Sequence, residues 1–358
     1  MKGRVLVVGF ATRHVAQSAA RAGYDVCTID HFCDQDLHWY TTDREKFEDL
    51  ADIPEAIERI CRRHSFDFLV VTSGAEDLPT TLHLCGTPKE KIVRFLDKLE
   101  TQYFFEHLKV PVPRLLTEGQ YPAMIKPRRG AGGWRNAIVH DKNGLSAWEN
   151  LNPETAFIRQ EIVEGVPASV CCVTDGLRAR AIAVNEQFLR GMDGPAFGFC
   201  GSVTPFDHPL AHEMVTRAEQ IAAASGCIGT IGIDFVLGSD TACAIEVNPR
   251  FQGTVDSIEM ACGCNIFQYH VDACTGIIPP LSPSPRQFAV RSILFADKDL
   301  TITSDLKHLA SYVADIPWPG TSFEAGQALV SVYGWGQTRE AAFSLLDKHI
   351  STVRQYIR

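Results

Sequence analysis

An unbroken apolar run at residues 5–8 ends at Gly9, helical spacing of apolar positions follows over 15–22, and the strand-like segment Tyr24-Asp25-Val26-Cys27-Thr28-Ile29 comes next. A strand buried on both faces reads as continuously apolar, whereas an amphipathic helix repeats every three to four positions, so this order predicts strand, turn, helix, strand. It is the opening of a parallel α/β sheet. Another buried strand, 68–71, runs into Thr72-Ser73-Gly74-Ala75-Glu76. Ligands of open parallel sheets sit beyond the carboxyl ends of the strands, so residues 9–13 and 73–77 are expected to line one crevice.

Helical spacing returns over 89–107 and is broken by Val110-Pro111-Val112-Pro113, whose prolines cannot continue a helix. A domain boundary is expected near residue 95. From residue 123 the pattern becomes short strands and glycine loops, with helices expected at 212–224, 305–314 and 339–356. The Pro/Ser stretch 278–285 reads as a crossing loop. No G-x-G-x-x-G and no G-x-x-x-x-G-K-[ST] occurs, so neither a dinucleotide fingerprint nor a P-loop is present.

Composition narrows the functional classes. The chain has 358 residues, 45% hydrophobic and 22% charged, as in globular proteins. A net charge of -9 argues against a nucleic-acid face, which needs clustered Lys and Arg, and the one basic knot, Lys126-Pro127-Arg128-Arg129, is too small to serve. No signal-like start and no apolar stretch of spanning length is found, so the expectation is a soluble, cytoplasmic protein with no membrane partner. The 12 cysteines contain no Cys-x-x-Cys. Cys171-Cys172 and Cys262-Gly263-Cys264 therefore read as reduced, mostly buried thiols, with the role of Cys262 and Cys264 open.

Two segments carry candidate chemistry. The first is Ile231-Gly232-Ile233-Asp234-Phe235-Val236-Leu237, a Gly/Ser/Asp turn, and Ala242-Cys243-Ala244-Ile245-Glu246-Val247-Asn248-Pro249-Arg250. It is a hairpin by alternation. Pairing of the apolar sets would put Ile233, Phe235 and Leu237 on one face with Ile245 and Val247, and Asp234, Glu246 and Asn248 together on the other. Facing carboxylates repel, so the arrangement is favourable mainly around a hard cation such as Mg²⁺; a solvated sheet face is the plain alternative. The second segment is Ala123-Met124-Ile125-Lys126-Pro127-Arg128-Arg129-Gly130-Ala131-Gly132-Gly133. A lysine closing an apolar strand before three glycines presents a fixed charge beside exposed backbone N–H groups, which suits phosphate; a mobile hairpin tip with a snorkelling Lys would look alike.

With these motifs in their order, the chain resembles the ATP-grasp superfamily of carboxylate ligases and carboxylases. The resemblance implies an α/β protein in which an open parallel-sheet domain (1–95) precedes an ATP-grasp domain of two α+β subdomains. The smaller would hold the linker helix and glycine loop (96–165), the larger the metal site and C-terminal helices (166–358). It implies ATP as cosubstrate, with Lys98 and Lys126 on its phosphates, Gly130, Gly132 and Gly133 closing over them, and Gln160, Glu161, Ile162 and Val163 at the adenine. It further implies Mg²⁺, or Mn²⁺ in its place, on Asp234, Glu246 and Asn248, with Arg250 and Lys126 as catalytic residues and Arg250 on the reacting carboxylate or acyl phosphate. The oligomeric state is left open, although relatives commonly pair through their nucleotide domains, which would make a homodimer.

The chain departs from the family pattern in three places. Val166-Pro167-Ala168 stands where many relatives carry an acidic residue or His for the ribose, leaving that contact unassigned. Asp234 stands where Glu is common in carboxylases. No Met-Lys-Met segment for biotin attachment occurs. The resemblance implies activation of a small carboxylate as an acyl phosphate and its transfer to an amine such as an amino acid, in the manner of coenzyme-building ligases. A carboxylase working through carboxyphosphate and a non-catalytic nucleotide-binding protein are the alternatives. Arg13 and Glu76 are candidates for gripping substrate, and residues 190–201, with Gly191, Gly194, Gly198 and Gly201, for a lid. His14, His64, His140 and His208 show no usable partner spacing.

Overall fold

A computed structural model describes residues 2–130, 132–133, 135–190 and 197–357. The first sheet is parallel, in the order β3-β2-β1-β4, from β1 (Arg4–Gly9), β2 (Asp25–Asp30), β3 (Asp43–Lys46) and β4 (Phe68–Val71). Helix α1 (Arg13–Arg21) covers one face and α2 (Ile53–Cys61) the other. Both faces are buried, which is why β1 and β4 show no alternation.

The region expected to be one helix over 89–107 is two helices. α3 (Lys89–Ile92) runs into a 3₁₀ turn at Val93–Leu96, and Asp97 turns extended before α4 (Lys98–His107). The Asp97 side chain accepts from the Leu99 N–H, so a strong N-cap restarts the helix one residue before Lys98. A three-stranded antiparallel sheet follows, ordered β6-β5-β7, from β5 (Ala123–Pro127), β6 (Ala137–Val139) and β7 (Phe157–Gln160), with α5 (Lys142–Leu151) on its back.

The rest is built on an eight-stranded antiparallel sheet. It comprises β8 (Val166–Asp175), β9 (Ala179–Arg190), β10 (Gly198–Thr204), β11 (Ile228–Leu237), β12 (Ala242–Asn248), β13 (Phe288–Phe295), β15 (Val313–Ala314) and β17 (Ala328–Gly336), in the order β12-β11-β8-β9-β10-β13-β17-β15. β14 (Leu300–Ile302) pairs with β16 (Thr321–Phe323) apart from it. α6 (Ala211–Ser225) covers one face of β8, β9 and β11; on the other face α8 (Ile266–Cys274) lies over β8 and β11 and α7 (Val255–Cys262) over β10 and β13. α9 (Arg339–Val353) packs on β13 and β17. A single core cluster joins Val5, Val7, Val15 and Ala19 to Ile258, Ile266 and Phe267, so α7 and α8 weld the first sheet to the large one. Gly165, at the turn into β8, lies so near the Leu237 carbonyl oxygen that a Cβ there would approach within 2.1 Å.

The structure corrects three further expectations. Residues 305–314 form only a 3₁₀ turn, Lys307–Leu309, and the short strand β15. Leu306, Leu309 and Val313 are buried at helical spacing, but Val313 pairs with Val332, and this edge ladder displaces the helix. In the metal hairpin the register slips between Asp234 and Phe235, leaving Ile245 unpaired. The buried partners of Ile233, Phe235 and Leu237 are therefore Val247, Ala244 and Ala242, and the β-bulge takes Ile245 out of the core. The described ends of the segment expected to act as a lid belong to β9 and β10, where Gly198 pairs with Arg190 and Gly201 with Phe188. Gly191 and Gly194 lie outside the described residues.

Candidate active site

Across the hairpin Asp234 stands directly opposite Glu246, while Asn248 pairs with Gly232 on the same face. The ladder extends this face as Glu246, Asp234, Ser169 and Asn185, and the Thr204 hydroxyl continues the polar row by donating to Asn185 Oδ1. Asn248 Nδ2 donates to Asp234 Oδ2 at 2.9 Å, and Gln187 Nε2 donates to Asp234 Oδ1 at 3.1 Å. Burial and the nearby Glu246 carboxylate push the Asp234 carboxyl up to about 7. Two facing carboxylates supply hard oxygen donors whose mutual repulsion a divalent cation would relieve, so the pair fits Mg²⁺, with Asn248 beside it turning Nδ2 to Asp234 and Oδ1 to Arg250.

Two lysines face this set. Lys126 ends β5, where Ala123, Ile125 and Pro127 are buried and Lys126 alternates onto the other face. Burial pushes its ammonium down to about 8, Glu246 opposing and Lys98 adding to the effect. Lys98 Nζ lies 3.5 Å from Glu246 Oε1 and donates to the Gly130 carbonyl at 2.6 Å. Arg128 forks onto Asp97 at 2.6 and 3.0 Å, and the Lys98 N–H donates to the Arg128 carbonyl. The base of the glycine loop is thus tied to the start of α4. Gly130, Gly132 and Gly133 all have positive φ, and a Cβ on Gly133 would approach the Phe197 carbonyl oxygen within 2.3 Å. The loop therefore packs against the start of β10 where only glycine fits.

At the end of β7, Gln160 is buried, donates to Gln102 at 2.8 Å, and keeps Oε1 buried without a partner. Glu161 is turned onto Arg114, accepting from its backbone N–H at 2.9 Å and its Nε at 3.4 Å. Ile162 and Val163 are half-buried, and among the described residues their backbone groups join no other backbone group. An unpartnered acceptor beside free main-chain groups fits the edge of a purine base.

Arg250 is held in place on both sides. Its Nε lies 2.5 Å from Glu76 Oε1, its Nη2 donates to Asn248 Oδ1 at 3.0 Å, and its Nη1 to the Phe251 carbonyl at 3.1 Å. Glu76, from the turn after β4, thus sets the arginine's orientation across the domain junction. Arg13 occupies a different environment. Only 3% exposed, it reaches Asp256 at 2.6 Å, Asp315 at 2.9 Å and Asp36 at 3.6 Å, and Arg291 also meets Asp315, at 3.1 Å. Both arginines line a cavity of about 250 Å³ between the first sheet and Arg250, with Phe199 and Phe251 among its walls. Gln187, Asp36, Asp256, Asp315 and Arg291 carry no local sequence signal, because strand register and domain docking bring them in.

The ion network makes acid stability testable. Burial alone would raise the Asp256 carboxyl, but Arg13 outweighs it and the group is held at about 2. Its stabilising contribution is complete above the unfolded value near 3.9 and is lost as pH falls from about 4 to about 2, a change of ~2 kcal/mol. Asp36, raised to about 6 chiefly by burial, titrates above this window with the opposite sign. Asp256→Asn is expected to flatten the loss of denaturation midpoint between pH 4 and pH 2; an unaltered acid slope would refute the assignment.

A second cluster, Cys85, His270 and Cys274, has its ligand atoms within 4.8 Å of one another. His270 Nδ1 accepts from the Thr230 N–H at 2.9 Å, which leaves Nε2 protonated and facing the Cys85 carbonyl at 2.9 Å. Both ring nitrogens are in use, so the imidazole has no lone pair for a metal. No described helix is long and apolar enough to cross a membrane.

Comparison with known proteins agrees with this fold. Residues 95–254 match the model of the ATP-grasp domain. The chain is 22% identical to an uncharacterized protein of Methanocaldococcus jannaschii, over 92% of this chain and 87% of that one. It is 23% identical to the carbamoyl phosphate synthase large chain of Rubrobacter xylanophilus over 82% of its own length, and spans only 31% of that relative. Among solved structures, the biotin carboxylase domain of Hydrogenobacter thermophilus 2-oxoglutarate carboxylase, in complex with MgADP, ADP and bicarbonate, is similar at a TM-score of 0.80. That match has 13% identity and covers 98% of this chain and 89% of that one.

Proposed function

Residues 95–254 are an ATP-grasp domain, and from that premise we propose that the chain is an ADP-forming ligase that activates a small carboxylate as an acyl phosphate and joins it to an amine. Members of the family are ATP-dependent ligases that form C–N bonds. The observation that carries the proposal is the placement of Arg250, whose guanidinium is anchored by Glu76 and Asn248 beside the acidic pair and lines the cavity at the domain junction. A carboxylate is a poor acyl donor, because oxide would have to leave; phosphorylation makes phosphate the leaving group.

Little covalent chemistry then falls to the protein, which must position charges and exclude water. Mg²⁺ held on Asp234, Glu246 and Asn248 would neutralise phosphate oxygens. Lys98 and Lys126 would hold the nucleotide's phosphates, and Gly130 to Gly133 would cover them and keep water from the activated acyl group. Arg250 would orient the reacting carboxylate and stabilise its oxyanion, its own direction fixed by Glu76. Bicarbonate as the activated acid would make little use of a cavity walled by Phe199 and Phe251, so the carboxylase reading is the weaker one.

The test is ATP turnover with Mg²⁺ over pooled carboxylates and amines, separating ADP plus phosphate from AMP plus pyrophosphate. ADP release that requires both a carboxylate and an amine is expected. Bicarbonate-dependent release without an organic acid would replace the ligase with a carboxylase, and AMP release would discard the acyl-phosphate route.

A further inference from the structure

The cavity between the first sheet and Arg250 has an unbalanced charge. Its wall carries three guanidinium groups, Arg13, Arg250 and Arg291, and three carboxylates, Asp30, Asp34 and Asp315. Nearly all of them are engaged. Arg13 and Arg291 share Asp315, Arg13 also meets Asp256 and Asp36, and Arg250 is held by Glu76. Asp30 accepts from the Thr12 N–H and hydroxyl and from the N–H groups of Phe32 and Cys33 at 2.6–2.8 Å. Asp34 differs: among the described residues no hydrogen bond and no ion pair reaches its carboxylate. Counting the partners that touch the wall, six carboxylates stand against three guanidiniums.

Two more wall residues keep unspent polar atoms. His14 Nε2 and Thr72 Oγ1 are buried without partners, the residues being 8% and 1% exposed. Burial pushes the His14 imidazole down to about 4, so it is neutral and adds no positive charge. Most of the remaining wall is apolar, with Phe32, Leu37, Phe199, Ile293, Phe323 and Leu329 among its largest side chains and Thr12, Ser73 and Ser331 its further polar ones. At about 250 Å³ the cavity lies below the ~300–1,000 Å³ of pockets for drug-sized ligands, so it admits a compact molecule.

We propose that this cavity binds the amine substrate, a small molecule whose ammonium group meets Asp34 and whose apolar body packs on the surrounding Phe, Leu and Ile side chains. Burial together with Asp315, Asp36 and Asp30 lifts the Asp34 carboxyl well above the usual carboxylate range, and an ammonium neighbour relieves that repulsion. The carboxylate substrate is then left to Arg250 at the same cavity's edge, so the two reactants approach from opposite charges. The proposal rests on the ligase reading, although its test does not require turnover.

Binding of hexylamine, 1-hexanol and hexanoate to the full chain with saturating Mg-ADP, read by calorimetry, is the experiment. The three probes share size and differ in charge. Hexylamine is expected to bind at least tenfold more tightly than hexanol, with hexanoate weakest. Asp34→Asn is expected to weaken hexylamine at least tenfold while leaving Mg-ADP affinity and thermal stability undiminished, because the Asp34 side chain has no hydrogen-bond or ion-pair partner among the described residues to lose. Leu329→Phe, which fills the apolar wall, is expected to abolish hexylamine binding with Mg-ADP unaffected, and serves if the first variant fails to fold. Equal binding of amine and alcohol, preference for hexanoate, absence of all three, or an Asp34→Asn chain that still binds hexylamine normally would each overturn the proposal. Amine binding without any ADP release would instead sink the ligase reading and leave the pocket; ADP release with no amine preference would do the reverse.

Discussion

Glu246→Gln is expected to lower ATP turnover by about 10²- to 10³-fold, the scale seen when one preorganised electrostatic group is removed from a site of developing charge. The substitution is isosteric and leaves the ladder between β11 and β12 intact, since that pairing is made by the main chain. It also removes the charge that helps lift the Asp234 carboxyl, so the folded state loses a repulsion. Its contact with Lys98, at 3.5 Å and partly exposed, returns little stability. The variant should therefore melt at or above the wild-type temperature while turning over far more slowly, the combination expected where a site stores unfavourable charge for function. Unaltered turnover in a normally folded variant would remove the hairpin from the catalytic site.

Arg13→Met is expected to produce the largest loss of stability, about 3–5 kcal/mol, because it leaves buried carboxylates without their counter-ion. The guanidinium ties α1 to Asp256 on α7, Asp315 after β15 and Asp36 before β3, so its removal loosens the junction of the first sheet with the large one. A drop in Tm of roughly 4–7 °C follows from the usual entropy of unfolding for a chain of 358 residues. The double variant Arg13→Met/Asp256→Asn should recover part of the loss, since one stranded charge disappears with its partner. A Tm within about 2 °C of wild type for the single variant would show that the network contributes no net stability.

The sites differed in how far they could be read in advance. The hairpin was legible because strand alternation fixes which side chains share a face: Asp234, Glu246 and Asn248 stand two, twelve and fourteen positions apart, and pairing alone brings them together. Ile245 was misplaced because a β-bulge, which no local preference announces, resets the alternation by one residue. The helix expected at 305–314 failed for a related reason: apolar residues at helical spacing also suit a 3₁₀ turn followed by an edge strand when a neighbouring strand offers its hydrogen bonds. Arg13 and Glu76 were chosen as ligand-gripping groups from their place at strand ends. Docking of the first sheet on α7 gave Arg13 a set of acidic partners and set Glu76 against Arg250.

By itself, then, the chain determined the parallel opening sheet, the lysine and glycine loop at 126–133, the acidic hairpin, and with them the family of the ATP-grasp region, because each rests on residues close in sequence and on the periodicity of one element. Only the tertiary structure decided what surrounds Asp34, which acid holds Arg250 and which arginine serves as an ion-pair hub. Those contacts join residues up to 302 positions apart, as Arg13 and Asp315 show. Charge pairing at such separations depends on how whole elements dock, and a side chain's sequence neighbours carry no record of that.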